Sequence, residues 1–221
     1  DPVPLAATEP DRYAIESGQV HTGTGASFPA AEFPAHVAEQ QVPHSTALHA
    51  RLDGIRYLTG PMARYTLNSR RLSPLARQVA TEIGLGDECR NPFRSLLVRA
   101  VEVVYALDEA LRLITAYERP ARPSVPTSPR AGVGHGISEA PRGLLYHRYD
   151  IDANGLIRSA TIIPPTSQNQ DAIEDALRRV VTTGLDLDDA ALTAVCERTI
   201  RNYDPCISCS AHFLALDLVR R

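Results

Sequence analysis

The chain has 221 residues, of which 43% are hydrophobic and 22% charged, as is usual for a globular protein with a sizeable core. Its net charge of −3 provides no basic field that would favour nucleic acid or an anionic membrane, and no run approaches the ~20 apolar residues of a membrane span. The first residue is Asp1 rather than Met, so we expect a fragment or a processed product, with further functional residues upstream.

The N-terminal 42 residues are predicted to be rich in strands. Residues 11–33 alternate between apolar and polar side chains and contain many Gly, Thr and Ser residues, which is typical of short strands joined by turns. The next stretch, 43–58, is predicted to be a helix. Gly60 and Pro61 would end it, because neither residue suits the interior of a helix.

A helical core is predicted for residues 43–119. Ser73 is placed to cap a helix that Pro74 begins and Gly84 ends. A longer helix is predicted over 91–117, because an Asn-Pro pair opens it and apolar residues recur at the helical period. Six side chains form this predicted buried stripe: Leu97, Val101, Val104, Leu107, Leu111 and Ile114.

The remainder divides into a proline-rich connector, residues 120–130, and a C-terminal region, residues 131–221. The C-terminal region opens with a glycine-rich stretch, 131–143, predicted to be a loop. Two strands about an Asn-Gly turn and two helices are predicted after it: 144–151, 156–163, 170–182 and 188–201. Asp188 is the predicted cap of the last helix, and Thr166 or Ser167 that of the helix before it.

The four cysteines do not suggest a disulfide framework. Cys89 and Cys196 are isolated in the sequence, and Cys196 lies on an apolar helical face, which favours a core position. Cys206 and Cys209 form a Cys-x-x-Cys motif within "NYDPCISCSAH", residues 202–212. Its spacing is compatible with half of a metal site, a redox pair or a structural coincidence.

Two further stretches are suggestive only in combination. "EAPRG", residues 139–143, ends the glycine-rich stretch, which lacks the preceding strand of a dinucleotide-binding motif. "PPTSQN", residues 164–169, leaves a strand through two prolines, as a rigid turn would. By themselves Arg142 would be a surface ion-pair residue and Asp204 a turn residue.

Taken in order, "EAPRG", "PPTSQN" and "DPCISCSAH" resemble the large subunit of [NiFe]-hydrogenases. "GPMARYTLN", residues 60–68, and "NPFRSLLVRAVE", residues 91–102, are also similar to that family. The resemblance is greatest to its cytosolic, NAD(P)-linked bidirectional branch. It implies an α+β, predominantly helical fold, the large-subunit fold without its N-terminal part, and residues 1–221 as the C-terminal portion of that subunit.

The resemblance also implies a metal centre. In the family a nickel ion is held by four thiolates, two of which bridge to an iron that carries CO and cyanide ligands, a Ni-Fe(CN)2(CO) centre. Soft thiolates suit these metals. By position, Cys206 would be a terminal nickel ligand and Cys209 a bridging one. His212 would lie beside a magnesium or similar divalent ion and mark where a maturation protease cuts.

The resemblance assigns roles to the other motifs as well. Arg142 would lie over the open metal position as a base or an electrostatic positioner, and Asp204 would fix its plane. Thr166 would hydrogen-bond a cyanide ligand, while Pro141 and Pro165 would shape the same wall without adding an N–H group. The catalytic set is therefore predicted to be Arg142, Asp204 and Cys206.

The family's N-terminal Arg-x-Cys-Gly-x-Cys motif has no match in this sequence. We therefore expect the second thiolate pair upstream and this fragment to be inactive alone. No iron–sulfur cluster is expected in this chain. The resemblance implies a partner subunit with iron–sulfur clusters, diaphorase-type NAD(P) and flavin subunits, a maturation protease, nickel chaperones and a cytoplasmic location.

Two alternatives belong to other classes of protein. The quinone-site subunit of respiratory complex I is related in fold, but it lacks the C-terminal cysteines that this chain keeps. A zinc-stabilised interaction domain would use Cys206 and Cys209 with Cys89 or a histidine, and its isolated fragment would show Zn–S distances of ~2.3 Å.

Overall fold

A computed structural model describes residues 1–205 and 217. Within these residues, the first sixty positions consist mainly of short strands and the middle of the chain consists mainly of helices. The C-terminal part contains three strands followed by two helices. The strands are β1 Val3–Thr8, β2 Gln19–Thr22, β3 Ser27–Phe28, β4 Val37–Gln40, β5 His49–Leu52, β6 Tyr57–Leu58, β7 Gly132–Ala140, β8 Gly143–Ile151 and β9 Ile157–Ile163. The α-helices are α1 Phe33–His36, α2 Pro61–Asn68, α3 Pro74–Glu82, α4 Ser95–Thr115, α5 Pro165–Thr183 and α6 Asp189–Asn202.

The strands form three small sheets. A four-stranded sheet has the order β3-β2-β1-β6, in which β1 pairs with β2 antiparallel and with β6 parallel. A two-stranded sheet joins β4 to β5, and a three-stranded antiparallel sheet has the order β7-β8-β9.

No helix within the described part of the chain combines the length and the hydropathy needed to cross a bilayer.

Two apolar clusters stabilise this arrangement. One lies between α2, α3, α4 and α5 and includes Tyr65, Val98 and Val101. The other lies between the sheets and includes Tyr57 and Tyr146, both fully buried. Strand β6 leads directly into α2, so residues 58–61 connect the second cluster to the first. The candidate site lies around this connection.

The helices and turns with local sequence markers are confirmed. The Ser73 hydroxyl accepts a hydrogen bond from the Ala76 amide at the start of α3, and Asp188 caps α6 in the same way. Asn91 likewise accepts from the Phe93 amide, in a short 3-10 turn before α4. The predicted hairpin exists as β8 and β9, and Cys196 is a core residue with 2% exposure.

The helix predicted for 43–58 is wrong. This stretch contains β5 and β6 instead, and β5 pairs with β4 from Val37↔Leu52 to Gln40↔His49. Asp53 and Gly54 adopt φ values of 47° and 80°, which lie in the left-handed region and break any helix there. The strand pairing therefore overrides the apparent helical pattern.

Two smaller predictions are also wrong. The glycine-rich stretch is strand β7 rather than a loop, because its backbone pairs with β8 along its whole length, from Gly132↔Ile151 to Ala140↔Gly143. Helix α5 begins earlier than predicted, with Pro164 at the N-cap and Pro165 as its first residue, so neither Thr166 nor Ser167 is the cap.

The apolar stripe predicted for α4 is only partly confirmed. Val101 is fully buried, but Leu97 is 37% exposed, and the fully buried Val98 lay outside the predicted stripe. By contrast, Leu107 and Leu111 are each 64% exposed. The second half of α4 extends beyond the elements that cover the first.

Candidate active site

Arg142 lies in the tight turn between β7 and β8 and contacts Asp204, close to the end of the described segment 1–205. Its Nε donates a hydrogen bond to the Asp204 carbonyl oxygen at 2.9 Å and lies 3.5 Å from the Asp204 carboxylate. The same carboxylate is 3.4 Å from Nη1 of Arg99 on α4. Asp204 has a φ of 47°, so the chain turns sharply there, directly before Pro205 and Cys206.

The structure brings four of the predicted site residues to one small surface depression. Its lining includes these four, Arg142, Pro165, Thr166 and Asp204, together with Tyr203 and Ile173. Pro141 is adjacent to Arg142 in the same turn. The other three predicted residues, Cys206, Cys209 and His212, lie outside the described residues, so their predicted roles stay predictions.

Thr166 is the second residue of α5. A helix leaves its first backbone N–H groups without intrahelical acceptors, and its dipole adds partial positive charge at that end. Within the described chain no side chain caps α5. The wall formed by Arg142 and the start of α5 is therefore rich in hydrogen-bond donors and suited to an anionic or strongly polar group.

Close backbone packing holds the Arg142 turn in place. Gly60 has a φ of 105°, and a Cβ atom there would lie 2.6 Å from the Arg142 carbonyl oxygen. Gly143 has a φ of 145°, and its Cβ would lie 2.6 Å from the Thr59 methyl group. The Thr59 hydroxyl oxygen accepts a hydrogen bond from the Leu144 amide at 2.8 Å. Glycine is thus required on both sides of this contact.

Two buried amides of α5 reinforce the same contact. Asn169 accepts a hydrogen bond from the Thr59 amide at 2.9 Å and donates one to the Arg142 carbonyl at 3.4 Å. Gln168 donates to the Leu144 carbonyl at 2.6 Å and to the Ile163 carbonyl at 3.2 Å. Helix α5 is therefore fixed against the turn by side chains from the PPTSQN motif itself.

A buried ion network anchors the other side of the turn. The Arg64 guanidinium bonds both carboxylate oxygens of Glu102 at 2.8 Å and lies 3.1 Å from Glu139. It also donates to the Ala140 and Pro141 carbonyls at 2.7 and 2.9 Å. A single guanidinium from α2 therefore holds the main chain immediately before Arg142.

Burial governs the protonation of this network. Burial raises the pKa of the Glu139 carboxyl, although the positive charge of Arg64 and the hydrogen bond from the Ala7 amide act in the opposite direction. Burial and the negative charge of Glu102 raise the pKa of Tyr13, whose hydroxyl donates to Glu102 at 2.7 Å. Tyr13 is therefore a permanent hydrogen-bond donor at neutral pH.

The sequence analysis missed Arg64, Glu139 and Asn169 as positioning residues. Each of them lies inside a stretch that the resemblance identified, namely GPMAR, EAPRG and PPTSQN. Within those stretches, however, nothing local distinguishes a buried ion-pair residue from an exposed one. Arg64 is 5% exposed and Glu139 7%, which only the fold reveals.

Comparisons with known proteins find relatives along most of the chain. The nickel-dependent hydrogenase family profile matches residues 56–212. Sulfhydrogenase 1 subunit alpha of Pyrococcus furiosus is 30% identical over 219 residues, covering 97% of this chain and 51% of that protein. The NAD-reducing hydrogenase HoxS subunit beta of Cupriavidus necator is 30% identical over 165 residues, covering 70% of this chain and 34% of that subunit.

A solved structure gives the same result for the fold. The crystal structure of an NAD+-reducing [NiFe]-hydrogenase in the H2-reduced state superimposes with a TM-score of 0.77 at 24% identity, over 96% of this chain and 51% of that one. The chain thus spans about half the length of the relatives it matches. The predicted fold class, that of the [NiFe]-hydrogenase large subunit, is confirmed, and the chain belongs to the nickel-dependent hydrogenase family.

Proposed function

We propose that this chain is part of the catalytic subunit of a [NiFe]-hydrogenase and takes part in the reversible heterolytic cleavage of H2. One observation carries the proposal. Arg142, Asp204 and the uncapped start of α5 line one depression, and the sequence continues from there directly into Cys206 and Cys209. Neither the complex I alternative nor the zinc-domain alternative accounts for a guanidinium held so firmly at this place.

The residues present fit a nickel–iron centre. The two thiols have the softness that nickel and low-valent iron prefer, and the adjacent donor wall suits anionic cyanide ligands, whose burial without hydrogen bonds would be costly. Cys206 and Cys209 would hold the metals together with a second thiolate pair from outside this sequence. His212 would contribute to a magnesium or similar site. When bound, the centre supplies a Lewis acid for H2.

The chain's own residues would then position and move the proton. Arg142 extends its guanidinium from a turn fixed by Arg64 and Asn169, and Asp204 restricts the plane of that group. A guanidinium is a poor base in water but can position or accept a proton in a dry pocket. The Cys206 thiolate is the second possible proton acceptor. Thr166 would donate to a cyanide ligand, and Pro141 and Pro165 add no competing N–H.

Partner subunits follow from the same proposal. This sequence holds no cysteine set for an iron–sulfur cluster beyond the pair assigned to nickel. Electrons would therefore pass to an iron–sulfur subunit and from there, through diaphorase-type flavin subunits, to NAD or NADP. The names of the Cupriavidus relative and of the matched crystal structure, both NAD-reducing, support this assignment. A maturation protease, nickel chaperones and a cytoplasmic location complete the proposal.

Nickel content and H2-driven dye reduction by the complete protein with its natural partners test the function. We expect Cys206→Ser and Cys209→Ser to lose nickel and activity together. Cys196→Ser is the matched control, because that thiol is buried in α6 and should affect neither. A complete, metal-loaded wild-type protein that fails to reduce dye with H2 would exclude the proposal.

Arg142→Lys separates metal binding from catalysis. Lysine keeps the positive charge but lacks the planar guanidinium, whose Nε–H contacts Asp204. We expect unchanged nickel content and a loss of about 10²–10³ in kcat, as for other preorganised electrostatic groups. Arg148→Lys is the control, because that arginine, on the same strand pair, has an exposed contact with Ser159. Full activity in Arg142→Lys would contradict the assigned role.

A further inference from the structure

Three ligand-type side chains converge on the face of α5 that packs against β5. His44 Nε2 lies 2.9 Å from one Glu174 oxygen, and His49 Nε2 lies 3.0 Å from the other. The three ligand atoms lie within 4.8 Å of one another. Glu174 is eight residues beyond Thr166, which places it about 12 Å further along the helix axis. The cluster is therefore separate from the wall around Arg142.

The burial of His49 distinguishes this cluster from a surface ion pair. Its side chain is 5% exposed, and its buried Nε2 has no hydrogen bond of acceptable geometry, although it points towards Glu174. An imidazole nitrogen buried in this way is costly unless something else binds it. The two imidazole rings stand 5.7 Å apart at 84°, so they meet edge to face and do not stack.

Two neighbouring side chains on α5 orient the Glu174 carboxylate. Gln170 donates to one oxygen at 3.2 Å, and Arg178 lies 3.4 Å from the other. A glutamate carboxylate is ionised at neutral pH, as a metal ligand must be.

The ligand set selects a class of ion. Two imidazole nitrogens and one carboxylate oxygen suit zinc, cobalt, nickel or iron, whereas magnesium and calcium prefer oxygen ligands alone. Ligands placed ~2.0–2.1 Å from a tetrahedral ion are about 3.3 Å apart. The separations of 2.9 and 3.0 Å run to different Glu174 oxygens, and one ligand atom from each residue lies within 4.8 Å of the others. Binding therefore needs side-chain shifts of up to about 1.5 Å. His44 is 58% exposed, which leaves room for solvent as a further ligand.

We propose that His44, His49 and Glu174 form a binding site for one divalent transition-metal ion of the zinc class. The site does not use the cysteines. It would link β5 to α5, because His49 belongs to the strand and Glu174 to the helix.

Cobalt(II) titration of the complete protein, in its natural assembly, tests the site by visible difference spectra, from which the constant bands of the iron–sulfur and flavin groups of the proposed partners are subtracted. Ions bound by imidazole and carboxylate give d–d bands only, whereas thiolate ligands add a sulfur-to-metal charge-transfer band. We expect one equivalent of Co2+ to bind with d–d bands alone and to raise the thermal midpoint of unfolding. His44→Ala and Glu174→Gln should each weaken binding by about tenfold or more, as even the loss of residues that only orient ligands can do.

Two comparisons make the outcome decisive. His36→Ala removes a histidine that contacts only one carboxylate, that of Asp53 at 3.1 Å, and should leave binding unchanged. His44 is largely exposed, so its replacement should preserve the fold, which far-UV circular dichroism checks. The proposal is overturned if wild-type protein shows no Co2+ binding, if its bands include thiolate charge transfer, or if either site variant binds as tightly as the wild type.

Discussion

The two halves of α4 have similar apolar patterns but different surroundings. Val98 and Val101 in the first half are fully buried, and Glu102 there holds the arginine that anchors the Arg142 turn. Leu111 and Ile114 in the second half are 64% and 71% exposed. A helical period therefore identifies which face of a helix is apolar. Whether that face contributes to stability depends on what other elements place opposite it.

The strongest test of the buried half is Arg64→Met. Removing the guanidinium leaves the carboxylates of Glu102 and Glu139 buried without their partner, so the free energy of unfolding should fall by about 3–5 kcal/mol. Urea unfolding measures this change. Arg70→Met is the control, because Arg70 and its partner Asp87 are 84% and 72% exposed, and we expect a change below about 1 kcal/mol. Equal effects would mean that the network does not stabilise the site.

Gly60→Ala should have the next largest effect. The added methyl group would meet the Arg142 carbonyl oxygen at 2.6 Å in a left-handed backbone conformation, so we expect a loss of about 2–4 kcal/mol in unfolding free energy. Gly25→Ala is matched in backbone, with a φ of 91°, but its Cβ would have no neighbour within 4 Å. It should lose only about 1 kcal/mol. If the two variants are equally stable, close packing against the Arg142 turn is not the cause.

Glu139→Gln should change the pH dependence of stability. Because burial raises the pKa of Glu139 above the ordinary value of 4.5, the folded state binds its proton more tightly than the unfolded state does. Its contribution to stability is therefore present below pH 4.5 and lost as the pH rises through the higher folded pKa. Unfolding curves across this range should decline less steeply for the variant. Parallel curves would mean that the attraction of Arg64 cancels the effect of burial.

The smallest change is expected in the outer half of α4. Leu111→Gln should alter the unfolding free energy by no more than about 0.5 kcal/mol, because the side chain is already 64% exposed. Val101→Ala in the inner half should lose about 2 kcal/mol by the same measurement, since it removes fully buried methyl groups. A loss above about 2 kcal/mol for Leu111→Gln in the complete protein would show that another segment or a partner covers the outer half.

The parts of the fold that could be predicted depend on local interactions. Ser73 and Asp188 each cap a helix by accepting a hydrogen bond from the backbone amide three residues later. The Asn154-Gly155 turn joins β8 to β9. The two main errors concern pairing between distant segments. The 43–58 stretch became strands because β4 lies beside it, and the glycine-rich stretch became β7 because β8 pairs with it. Such partners are not visible in a local pattern.

The candidate site shows the same division. Arg142, Thr166 and Asp204 could be selected because they lie in motifs with a recognisable order, and the structure brings them together around one depression. Arg64, Glu139 and Asn169 could not be selected, because their importance comes from burial and from bonds across 27 to 132 positions of sequence. The His44, His49 and Glu174 cluster was also missed, since its members are up to 130 residues apart.

The most direct test of the central claim is the infrared spectrum of the iron-bound cyanide and CO ligands in the complete protein. If Thr166 lies at the metal centre, Thr166→Val removes a hydrogen bond to cyanide and should shift a cyanide band while leaving the CO band nearly unchanged. Thr182→Val, at the far end of α5, is the control and should shift neither, because the Thr182 hydroxyl donates to the Arg178 carbonyl within the same helix. Identical cyanide bands in wild type and Thr166→Val, or the absence of such bands from active protein, would contradict the account.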